Sequence, residues 1–117
     1  MVKEKSPAFM FYPKDWLTDA RVQLMSPAAR GLYIDALAVC WIEGALPRDH
    51  DALAKVLRVT PVEIRHLWKQ VRPCFELNSE KKWFNKRLNR ERAKQLARRA
   101  QMSDVAKRRW KTADHDA

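Results

Sequence analysis

The chain has 117 residues, 46% of them apolar and five of them Trp, with a formal net charge of +10. That composition excludes disorder throughout and fits one domain with an appendage. From Lys86 to Lys111 eleven basic residues face only Glu91 and Asp104, which leaves nine net positive charges there and three on residues 1–85. A nearly balanced body ahead of a basic arm points to a polyanionic partner, most often nucleic acid.

The longest apolar stretch, Leu32 to Ile42, is interrupted by Asp35 and falls short of the roughly 20 residues of a membrane span, so no membrane partner is expected. Cys40 and Cys74 lie far apart in apolar surroundings and read as buried thiols of a reducing compartment. No charged-then-apolar leader opens the sequence, so a cytoplasmic location is expected.

In chain order, residues 1–8 read as a loose polar start. From Phe9 to Leu17, four aromatic side chains predict an extended segment whose rings pack onto the body, with Pro13 excluded from a helix interior. Ser26 as N-cap, Pro27 at the first helical position and Gly44 after the last turn bound the clearest helix. Its apolar face is Leu32, Tyr33, Ala36, Leu37, Cys40 and Trp41. Ile34, Ala38 and Ile42 make a second side apolar, as expected of a central helix.

Ala45-Leu46-Pro47 reads as a short extended link. Asp49 caps a second helix running to about Leu57, with Leu53, Ala54 and Leu57 inward. After the short turn Arg58-Val59-Thr60, Thr60, Pro61 and Glu63 form a capping box that opens a third helix, stopped by Pro73. Two β-prone runs, 74–77 and 82–85, flank a polar Asn78-Ser79 turn and read as a hairpin. A helix is expected from Lys86 to Gln101, and Ser103-Asp104 caps a final short helix ending near Trp110.

Three helices followed by a hairpin is the element order of a winged helix, with the second and third helices as a helix-turn-helix and the hairpin as the wing. The expected architecture is mainly α with a small β-hairpin: a winged helix-turn-helix domain over residues 1–85, then a basic helical arm over 86–117.

The third helix carries the most information. Ile64, Leu67, Trp68 and Val71 form its buried stripe, and Arg65, Lys69 and Arg72 repeat the spacing one residue on. An apolar back with long hydrogen-bond donors in front is what a recognition helix needs, and His66 and Gln70 beside it are candidate base readers. Arg58 in the turn, with Lys81 and Lys82 at the hairpin tip, are candidate phosphate contacts. The arm adds Lys86, Arg87, Arg90, Lys94, Arg98 and Arg99, and Leu96 and Trp110 within it also suit a protein partner or a homodimer. No catalytic constellation is expected, nor a cofactor or metal. Gly31 and Gly44 are too few for a phosphate loop, and His50 in Arg48-Asp49-His50-Asp51 lacks further ligands at fixed spacing.

Several stretches together resemble a known family. They are Phe11-Tyr12-Pro13-Lys14-Asp15-Trp16-Leu17-Thr18-Asp19, Ser26-Pro27-Ala28-Ala29-Arg30-Gly31-Leu32-Tyr33, and Trp41 with Gly44-Ala45-Leu46-Pro47. Leu53-Ala54, Trp68, Phe75 and Asn85-Lys86-Arg87-Leu88 continue the pattern. Over about Phe9 to Glu91 the chain resembles the DUF1376 family of YdaU-like prophage proteins. The resemblance implies a phage or prophage origin, a bacterial host, a winged-helix-like domain and a role in the replication region. It implies no catalytic residues. Double-stranded DNA is the favoured partner, with a host or phage replication protein as the alternative.

Overall fold

The computed structural model describes residues 7–116, and the side chains of residues 7–110. Most of the expected loose start, and the side chain of Lys111, lie outside the described residues.

The molecule is mainly helical with one small antiparallel hairpin. Two short helices, α1 (Pro13–Thr18) and α2 (Ala20–Gln23), lead into α3 (Pro27–Glu43), α4 (His50–Leu57) and α5 (Pro61–Val71). A 3-10 turn (Arg72–Cys74), strands β1 (Glu76–Leu77) and β2 (Trp83–Phe84), and α6 (Lys86–Asp116) follow.

The local signals of α3 to α5 act as read. The Ser26 hydroxyl accepts from Ala29 N–H, Asp49 accepts from Ala52 N–H, and Thr60 and Glu63 complete a reciprocal capping box. Gly44 ends α3 at φ 93°, a left-handed conformation that costs glycine nothing.

Ala36, Leu53, Ile64, Val71 and Leu46 are almost fully buried where α3, α4 and α5 meet. Aromatic rings extend this core: Trp68 lies 5.5 Å from Phe75 and 5.8 Å from Trp83 between ring centroids. Leu46, in the link after α3, forms an isolated antiparallel bridge with Trp83, so a third extended segment flanks the hairpin.

Three expectations are corrected. Pro13 does not keep residues 9–17 extended. It occupies the first helical position of α1, where its missing N–H costs nothing, and only the stretch before it is extended. Of the aromatic rings there, Phe9 packs on Trp41 and Trp16 stacks on Tyr33, whereas Phe11 and Tyr12 remain about half exposed.

The second apolar side of α3 is not covered by the body, and Ile34, Ala38 and Ile42 are exposed. Finally, Ser103 and Asp104 do not start a new helix: α6 runs unbroken for 31 residues. Ala100, Gln101 and Met102 before them are good helix formers, so the backbone continues through.

The start of α6 belongs to the body. Asn85 is buried, caps the helix by accepting from Leu88 N–H, and donates to the Cys74 carbonyl. Leu88 enters the core, and Arg92 donates to the Cys40 and Trp41 carbonyls with its guanidinium 4.8 Å from the Trp41 ring centroid. Glu91 and Gln95 bond the backbone at Met10 and Ala8, tying the aromatic segment alongside. From Leu96 to Trp110 every side chain is exposed. The molecule is accordingly elongated, 68 × 31 × 23 Å.

Candidate nucleic-acid interface

The α5 helix presents two faces. Ile64, Trp68 and Val71 lock its back into the core, which fixes the direction of the side chains in front. Arg65, His66, Lys69 and Arg72 line one open groove together with His50 and the edge of Trp68. Arg72 also lies over Trp83, its guanidinium 5.7 Å from the ring centroid, which restrains it against the hairpin. The groove thus gathers Arg65, His66, Lys69 and Arg72 from α5 and its end with His50 from the start of α4, and no carboxylate lines it.

Gln70 is not part of this groove. Its Oε1 accepts from Ser26 N–H at 2.7 Å, so it braces α5 against the start of α3. In the sequence His50 reads only as a candidate metal ligand, whereas here it lines the groove from the first turn of α4. Its place directly after the Asp49 cap, in the helix that precedes α5, is the signal that could have found it.

Arg58 sits at the end of α4 in the left-handed region at φ 59°, with its N–H held by the Ala54 and Lys55 carbonyls and its side chain exposed. At the hairpin tip the Asn78 side chain accepts from Glu80 and Lys82 N–H, and Lys81 adopts φ 60°. This geometry projects Lys81 and Lys82 into solvent, although Glu80 lies 3.8 Å from Lys82. An exposed pair of this kind is weak and is readily exchanged for another anion.

The basic residues of α6 divide. Lys86 pairs with Glu76 at 3.2 Å, and Arg87 pairs with Asp15 at 3.2 Å while covering the Tyr12 ring. Arg90, Lys94, Arg98 and Arg99 are exposed on the helix surface. Farther along, Met102, Val105, Ala106 and Trp110 form an exposed apolar patch with Gln101 and Arg109, and Met102 and Trp110 are each 72% exposed.

The two thiols are buried, Cys74 beside Lys86, Arg87 and Arg90. Burial pushes Cys40 up to about 12 and raises Cys74, so both are protonated and unreactive near neutral pH. Among the described residues no group of three or more His, Cys, Asp or Glu side chains is placed to hold a metal ion. No helix among them is long and apolar enough to cross a membrane.

In comparisons with protein-family models, curated proteins and solved structures, the chain matches none.

Proposed function

We propose that this chain is a non-enzymatic DNA-binding protein of winged-helix type, which reads duplex DNA with the α5 groove and holds the backbone with the hairpin tip and α6. The observation that carries the reading is the carboxylate-free groove of Arg65, His66, Lys69 and Arg72 on a helix whose back is fixed in the core. Side chains held this way can enter a major groove at defined positions, as sequence readout requires. The element order supports the winged-helix assignment, as does the Leu46–Trp83 bridge beside the hairpin.

The resemblance to prophage proteins supports a place in phage DNA replication initiation or its control, in a bacterial cytoplasm. The reading needs no cofactor. Duplex titration by fluorescence anisotropy tests it: the double variant Arg65→Ala/Lys69→Ala should weaken binding at least tenfold, since one good base contact is worth roughly 1–3 kcal/mol. Unchanged affinity in a folded double variant would remove α5 from the interface.

The exposed apolar patch of α6 favours a second reading, an adaptor whose arm folds on a host or phage replication protein. A purified replication protein retained by the arm in high salt after nuclease treatment, and released by Trp110→Ala, would favour the adaptor.

A further inference from the structure

A second polar cleft lies where α2, α3, the 3-10 turn and the first turns of α6 meet, and it shares no lining residue with the α5 groove. Its volume, about 430 Å³, is within the range of small-ligand sites. Four cationic side chains line it: Arg21 from α2, and Lys86, Arg87 and Arg90 from α6. We infer that this cleft binds a phosphate group, with Arg21 and Arg90 as its principal ligands.

The two carboxylates in the cleft are already engaged. Asp19 accepts from the Arg21 and Val22 N–H groups at 2.8 and 3.3 Å, and Glu76 pairs with Lys86 at 3.2 Å. Arg87 is held from outside by Asp15. Among the described residues no carboxylate lies within ion-pair distance of Arg21 or Arg90, and the cleft's four cations outnumber Asp19 and Glu76, so it keeps net positive charge. Two planar forks of N–H donors meeting at one cleft suit a tetrahedral oxyanion.

The floor suits the same ligand. The Tyr33 hydroxyl and the Cys74 thiol both line it beside Arg21. Burial raises both groups, so neither carries a negative charge that would repel an anion at neutral pH. The cleft is also braced: Asn85 ties the first turn of α6 to the Cys74 carbonyl, which fixes the helix carrying Arg90 relative to the floor. Pre-positioned donors bind more tightly than mobile surface ones, because less freedom is lost on binding. The phosphate could be that of a free phosphate ester or of a nucleic-acid backbone, and the test separates the two.

The full chain would be titrated with inorganic phosphate, against chloride at matched ionic strength, while the arginine Nε–H resonances are followed by NMR. Saturable shifts at Arg21 and Arg90 with phosphate alone are expected. Affinity should fall at least tenfold in both Arg21→Ala and Arg90→Ala and stay unchanged in Arg65→Ala/Lys69→Ala. Unsaturated shifts of similar size at Arg21, Arg90 and Arg98 that follow ionic strength would overturn the assignment. So would retention of binding in both single variants. If a short DNA duplex displaces the phosphate, the natural ligand is the DNA backbone; if duplex and phosphate bind together, it is a free phosphate ester. Because the two sites share no residue, failure here leaves the α5 reading standing, and failure at α5 leaves this one.

Discussion

Arg92 shows how residues of one chemical type come to do different work. Counted by charge it belongs with the other bases of the arm. In the fold its guanidinium satisfies the carbonyls of Cys40 and Trp41 at the end of α3, where the helix dipole also favours a cation. Charge-assisted bonds of this kind are worth about 2 kcal/mol. Arg92→Ala should therefore lower stability to urea by about that much, while changing DNA affinity by no more than one lost surface charge would. Gln70 is the parallel case among the polar residues of α5. Neither role was legible in the sequence, because each partner lies more than forty residues away.

Glu63 was legible, because its partner is three residues away. Thr60 N–H donates to its carboxylate and holds it below the ordinary carboxylate range. A depressed folded pKa means that this contribution is fully present above the unfolded value of about 4.3 and is lost as pH falls through the lower folded value. Glu63→Ala should accordingly be less stable than wild type at pH 7, and the gap should narrow by pH 3. A gap of equal size at both pH values, measured by denaturant unfolding, would contradict the capping role.

At the scale of elements, helices bounded by strong caps were read correctly because the caps act within one turn. Ser26 and Gly44 bound α3, Asp49 opens α4, and Thr60 opens α5. Pro13 misled because the same residue that breaks a helix interior also starts one, and the choice depends on what packs behind it. Here Trp16, three residues on, stacks on Tyr33 and supports the short helix α1. Ser103-Asp104 misled because capping residues are tolerated inside an exposed helix when their neighbours are good helix formers. Every described side chain from Leu96 to Trp110 is exposed, so the helix there gains little from packing on the core and its helicity is largely local. Ser103→Pro, which removes a helical hydrogen bond and clashes with the preceding turn, should reduce far-UV helical ellipticity while leaving the body's melting temperature nearly unchanged. A large fall in melting temperature would mean that the distal arm packs on the body.

At the scale of the whole molecule, the charge asymmetry of the sequence becomes an asymmetry of shape. The radius of gyration is 18.8 Å, against about 13 Å for a compact domain of this length. The excess comes from α6, which at about 1.5 Å per residue carries its exposed charges well beyond the core. On the proposed reading its outer part adds electrostatic affinity, while the α5 groove, anchored on the core, contacts the bases. Both the basic stripe on the third helix and the basic run of the arm are patterns along the chain, so both were legible in the sequence. It could not show that the arm's first ten residues are built into the body, since Leu88, Glu91, Arg92 and Gln95 face it only once Phe9 and Trp41 are in place.

Duplex DNA affinity measured as a function of salt decides whether these basic surfaces grip the phosphate backbone. If the α5 groove, the hairpin tip and α6 together neutralise about five phosphates, the log–log slope should be near −4.5. Arg65→Ala/Lys69→Ala should both weaken binding and make that slope shallower. A chain that does not bind duplex DNA at low salt, or binds it with no dependence on salt, would contradict the account.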